Sequence, residues 1–213
     1  LHDRARAIMT SVSLIDTLPL WQSRVYLAAF VVALALEVLV PLRFGLASPW
    51  QRWFANFGLW VINVIVARVL PLISGVAVSV WAQAHGVGLF NMISTAAGWA
   101  YGLTVVAGIL AIDLSNYGVH RVLHAWPLAW RLHRVHHSDI EFDITTGLRN
   151  HPLEALLVPL LVLPLIPLLG IPPLALALNS LIMAVMDSFT HANFRLPGWL
   201  ESRLRWLLVT PNM

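Results

Sequence analysis

Long apolar runs separated by short polar stretches set the pattern of this chain. The first run, YLAAFVVALALEVLVPL, covers Tyr26 to Leu42, about the ~17-residue lower limit for a membrane-crossing helix. Glu37 lies inside it and reads as a glutamate one or two turns from the interface. The second run, Phe57 to Ala82, is long enough to cross with tilt. In it Pro71 predicts a kink, and Arg68, near the middle, needs a partner or a water-filled path. The third, Trp99 to Trp126, starts apolar and turns polar without a helix breaker, which predicts one helix that crosses and continues beyond the bilayer. Two runs then follow back to back, Pro152–Gly170 and Pro172–Met186, with Gly170-Ile171-Pro172-Pro173 as the turn of a helical hairpin. The tail LPGWLESRLRWLLV mixes apolar and charged positions as an interfacial helix does, with Trp199 and Trp206 as anchors. The expected fold is all-α, a single polytopic membrane bundle of four to five apolar helices spanning residues 1–213.

Composition strengthens the membrane reading. Hydrophobic residues make up 59% of the chain and charged residues 11%, too little polar surface to cover a soluble domain. All thirteen basic residues are arginine, and the net charge is only +3 and scattered, which argues against a nucleic-acid partner. There is no cysteine. Disulfides, thiolate haem, iron–sulfur clusters and thiolate zinc sites are thereby excluded within this chain, and any metal needs nitrogen and oxygen ligands.

Arginine bias gives an orientation. Two arginines fall between positions 43 and 52, none near His85, and four between 121 and 149, with Arg195, Arg203 and Arg205 in the tail. This places the histidine-rich segment on the cytoplasmic face and the 83–97 link outside. The N-terminal arm, with Arg4, Arg6 and Arg24, then lies outside, against the same rule. Residues 1–24 lack the features of a signal peptide, and Met9 is a candidate start.

Five histidines crowd into eighteen positions, residues 120–137. Asp113, Tyr117, His120 and His124 are spaced 4, 3 and 4 and form one narrow helical stripe. His133 and His137 are four apart with His136 beside them, so two or three imidazoles can converge from one turn. His151 precedes Pro152 and taken alone is a helix-capping residue, and Asp187 and His191, again four apart, taken alone form a local pair. His85 and His2 read as ordinary surface residues. Convergence changes the weighing. Seven histidines (120, 124, 133, 136, 137, 151 and 191) fall at one predicted membrane face from four segments. Imidazole is the commonest metal ligand and suits iron, zinc and copper. One ion uses about four ligands, so seven point to two ions.

Four stretches carry a resemblance: D-x-x-x-Y-x-x-H-R-x-x-H (113–124), L-H-R-x-H-H-S (132–138), T-G-x-R-x-H-P-x-E (146–154) and H-A-N (191–193). Over about residues 100–213 the chain resembles the fatty acid hydroxylase/sterol desaturase superfamily of integral membrane di-iron enzymes. The resemblance implies a helical bundle with a histidine-rich cytoplasmic cap, two irons as cofactor and dioxygen as co-substrate. It gives ligand roles to His120, His124, His133, His136 and His137, whose nitrogens should share one coordination volume, and further ligand roles to His151 and His191. Asp113, Glu154 and Asp187 become candidates for orienting ligand imidazoles, and Tyr117 and Arg149 for positioning oxygen species or substrate. The family has a further HxxHH box, absent here after residue 137. The expectation is therefore a chain cut short at its C-terminus, whose gene continues past Met213 into that box.

The function expected is oxygen-dependent hydroxylation or desaturation of a lipid C–H bond. No glycine-rich dinucleotide fingerprint or cysteine framework is present, so electrons come from a separate reductase, ferredoxin or cytochrome. A zinc-dependent membrane hydrolase, with zinc in place of iron, stays open on the same ligands. So do a bis-histidine haem protein and a non-catalytic membrane scaffold.

Overall fold

Apolar continuity decides where the helices run, and proline, glycine and caps decide where they stop. The computed structural model describes residues 2–45, 49–69, 74–93, 98–139 and 141–212. Among the described residues ten α-helices follow in order: α1 (His2–Leu39), α2 (Pro49–Val69), α3 (Gly75–His85), α4 (Leu89–Ile93), α5 (Gly98–Ala125), α6 (Pro127–His133), α7 (Pro152–Val162), α8 (Leu165–Leu169), α9 (Pro173–Thr190) and α10 (Gly198–Leu204). Two 3-10 turns, His136–Ser138 and Ile144–Leu148, interrupt them. Among the described residues there is no strand, only an isolated bridge between Pro41 and Phe194. The all-α expectation holds.

Among the described residues five stretches are long and apolar enough to cross a membrane: Leu20–Leu39, Gly75–Ile93, Gly98–Ala125, Pro152–Leu169 and Pro173–Thr190. Large apolar side chains such as Leu27, Leu110 and Ile182 remain exposed on them, the surface a bilayer covers. The protein is an integral, multi-pass membrane protein. Its interior is centred on Val105 and Ile112 of α5, Val162 and Ile166 of α7–α8, and Ile171 and Ala175 at the head of α9. Gly108 lets α5 and α9 close up, since a Cβ there would stand 3.0 Å from both Ala175 Cβ and Ile171 Cγ2.

The third run is a single helix, as expected, and 28 residues long. The hairpin turn also stands where the sequence puts it. Gly170 ends α8 in the left-handed region at φ 67°, and Pro173 opens α9 at its first turn. Ser79 of α3 donates to the Ile171 carbonyl and ties the turn to its neighbour.

Three expectations need correction. The run Phe57–Ala82 is two helices, not one bent helix. Ser74 is extended, and its hydroxyl caps α3 by accepting from Ala77 N. Pro71 lies outside the described residues, as do the side chains of His2, Arg4 and Arg6. Arg68 consequently sits in the last turn of α2, where the helix dipole favours a cation, rather than in mid-span. The run Pro152–Gly170 is likewise divided, because Pro164 cannot donate within a continued helix and instead begins α8. The interfacial tail helix shrinks to seven residues. Beyond it the chain folds back, and Thr210 donates to Glu201 at 2.7 Å. Trp199 and Trp206 are both exposed.

Candidate metal centre

Helix α5 carries His120 and His124 one turn apart to its end, and Pro127 at the start of α6 reverses the chain so that His133 returns to them. The 3-10 turn then brings His137 round to the same point. His120 and His124 face each other Nε2 to Nε2 at 3.1 Å, and so do His133 and His137. The ligand nitrogens of all four lie within 4.8 Å of one another. A bond of about 2.1 Å places tetrahedral ligands about 3.4 Å apart and opposed ligands about 4.2 Å apart. The 4.8 Å span is a little wider than that, so the four imidazoles can hold one ion once their nitrogens draw in.

Behind this set, His133 Nδ1 donates to Glu154 Oε1 at 2.7 Å, with both side chains buried. Burial, then the neighbouring His124, lowers the pKa of His133. The contact is thus a hydrogen bond from a neutral ring, not an ion pair, and it leaves the Nε2 lone pair for the shared point.

His136 parts from its neighbours. Adjacent residues of a tight turn point in different directions, and its Nε2 faces His191 Nε2 at 3.2 Å instead. The five-histidine convergence expected from the sequence is therefore four plus a pair. Burial, followed by His191 and His137, pushes the pKa of His136 down to about 3, against the opposing effect of the Arg149 backbone. His191 ends α9. Its Nδ1 lies 2.9 Å from the Asp187 carbonyl and 3.2 Å from Asp187 Oδ1. Burial opposes protonation there, but the hydrogen bonds and charge of Asp187 outweigh it and raise the pKa. Gly147 packs against this pair, since a Cβ on it would meet Asp187 Oδ2 at 3.1 Å and His191 Nδ1 at 3.3 Å. A cavity of about 360 Å³ joins the two sets, lined by His120, His136, His137 and His191 with Phe142 and Val209.

The remaining candidates lie elsewhere. His151 caps α7, its Nδ1 accepting from Leu153 N at 3.1 Å. Arg149 donates to the Val135 carbonyl (2.8 Å), Ser138 Oγ (3.0 Å) and Asn56 Oδ1 (2.9 Å), so it clamps the histidine turn onto α2. Asp113 and Tyr117 are exposed on α5 and hydrogen-bond to no histidine.

Several supporting residues escape the sequence reading. Glu37 Oε1 accepts from Ile144 N at 2.7 Å and Asn193 N at 2.6 Å, joining α1 to the cap. Arg52 bridges Asp139 at 3.0 Å and Asp143 at 2.5 Å, and the fully buried Asn56 donates to Asp139 and Thr145. Only the capping box of Asp143 with Thr146 leaves a local trace in the sequence.

An all-α membrane bundle that gathers imidazole sets on one cap is a membrane protein able to bind metal there. The sequence profile of the fatty acid hydroxylase family matches residues 105–213, and the chain belongs to this family, within the fatty acid hydroxylase/sterol desaturase superfamily. Membership implies an oxidoreductase, in a family that is typically iron-dependent. No solved structure matches the chain.

Proposed function

We propose that this chain hydroxylates or desaturates a C–H bond of a lipid, using dioxygen and electrons from a separate donor. The observation that carries the reading is the partition of the imidazoles. Four nitrogens share one volume, and His136 and His191 form a second pair beside it, with the His133 and His136 rings 5.6 Å apart. Two neighbouring nitrogen sets suit two iron ions, and zinc accepts the same ligands. When bound, reduced iron with dioxygen supplies the oxidant that an unactivated methylene, lacking an acidic proton, requires.

The chain's own residues hold and orient. Glu154 and Asp187 keep the Nδ1 protons of His133 and His191, so that each ring offers Nε2. Arginine bias puts the centre on the cytoplasmic face, where a reductase, ferredoxin or cytochrome reaches it.

The test uses the purified chain loaded with ferrous iron, given a reductant and membrane lipid. Oxygen uptake should match a lipid product heavier by one oxygen or lighter by two hydrogens. Lipid hydrolysis without oxygen uptake would instead establish a zinc hydrolase, and a Soret band a haem protein.

A further inference from the structure

A second cavity, of about 490 Å³, touches none of the histidines. That volume lies within the ~300–1,000 Å³ range of small-molecule sites. It opens among the crossing helices, walled by apolar residues of α7 and α8 and by five polar ones: Gln22 (α1), Ser74 (ahead of α3), Asn116 (α5), and Asn179 and Ser180 (α9). No lining residue carries a charge.

Asn179 decides what the cavity can hold. It is only 8% exposed, and its amide hydrogen-bonds to no described residue. The amide of Asn116 is equally unengaged. The two serine hydroxyls differ, because Ser74 already accepts from Ala77 N and Ser180 donates to the Ala177 carbonyl. An unpaired amide among apolar helices is costly, and polar groups inside a membrane protein characteristically line a cavity that something polar enters. The ligand must offer hydrogen bonds yet carry no charge. A carboxylate or phosphate would be stripped of water here with nothing of opposite sign to meet it.

We propose that this cavity seats the uncharged polar group of a lipid, a hydroxyl or carbonyl, on the amides of Asn179 and Asn116. This rests on the reading of the protein as a lipid oxidase and names the chemistry of its substrate. Asn116 lies one turn, about 6 Å of helix rise, before His120, and Asn179 about 18 Å before His191. The histidines lie further along both helices than these amides, so on this proposal the carbon nearest them is remote from the polar group.

The experiment compares binding of tritiated hexadecanol and tritiated palmitate to the full, metal-loaded chain in detergent at a pH where palmitate is ionised. Hexadecanol should bind about 10-fold or more tightly than palmitate, and Asn179→Leu should lose about 10-fold in hexadecanol affinity at unchanged metal content, as for one lost buried hydrogen bond. Because the chain has no cysteine, Ser180→Cys, on the cavity wall but not one of the two amides, gives a second readout that does not depend on the leucine variant folding. Hexadecanol should shield that thiol from alkylation, and palmitate should not. Equal binding of the two probes, or a thiol left unshielded, overturns the proposal. So does an Asn179→Leu protein that keeps its affinity for hexadecanol but changes from dimer to monomer, since the amides would then join two copies. Selective hexadecanol binding with no oxygen-dependent turnover of any lipid would remove the oxidase reading and leave the cavity assignment standing.

Discussion

Glu154 is only 5% exposed and meets His133 Nδ1 at 2.7 Å. Glu154→Gln keeps an acceptor there but removes the charge that makes the ring a stronger donor to metal. Affinity for the first ion should fall about 10–100-fold, read by chelator competition, and unchanged affinity would reduce Glu154 to a packing residue. His124→Ala and His136→Ala should abolish turnover with the helices still inserted, while His85→Ala, exposed on α3, should be nearly silent. Equal loss in all three would mean that the site lies elsewhere. The metal-free protein should also show the imidazoles in its pH dependence. Burial and neighbouring histidines push His136 from 6.5 to about 3, and burial lowers His133 and His137 as well. The unfolded chain then binds more protons than the folded one. Their contribution is full above pH 6.5 and lost as pH falls through the lowered folded values. His191 has the opposite sign: raised by Asp187, its contribution is full at low pH and is lost as pH rises through its raised value. The lowered rings therefore favour a melting temperature that falls from about pH 7 to about pH 4. His136→Phe should flatten that slope, and a melting temperature that rises on acidification would contradict it.

At the scale of elements, the centre depends on how the 3-10 turn His136–Ser138 is held. Arg149 supplies that hold through three acceptors on two elements. Lysine brings charge without the planar fork, so Arg149→Lys should loosen the turn and lower metal retention while the bundle stays intact. Metal content against helical circular dichroism checks this, and full metal content would relieve Arg149 of the role. Helix α5, the hairpin turn and the HxxxH and HxxHH spacings are legible in the sequence because each is a local periodicity or a local breaker. His136 turning away from His133 and His137 is not legible, since spacing alone does not give side-chain direction in a tight turn. Nor is the break at Ser74, where a hydroxyl cap outcompetes apolar continuity.

Across the whole molecule, the contacts that seat the cap join residues far apart in the chain. Glu37 reaches Asn193 across 156 positions, and Arg52 reaches Asp143 across 91. No window of sequence contains both partners, which is why Glu37 reads as a stray acid near the interface when it is an anchor of the cap. Topology can be tested cleanly, because these 213 residues contain no cysteine. Arg134→Cys and Ala84→Cys, both at exposed positions, should react with a membrane-impermeant maleimide from opposite sides, Arg134→Cys only once the cytoplasm is opened. Labelling of both from one side would overturn the orientation drawn from arginine bias.

The two imidazole sets also differ in when they can come into being. His120 to His137 emerge from the ribosome within one stretch of eighteen residues, whereas His191 follows His136 by 55. The four nitrogens of the larger set, with Arg149 and Glu154 that hold them, are all made before α9 is complete. The pair has to wait for the α7–α9 hairpin to insert and deliver the end of α9. On the two-ion proposal, metal uptake would be a clock of the chain's own biogenesis. The first ion would date from mid-synthesis, and the second from the insertion of α9.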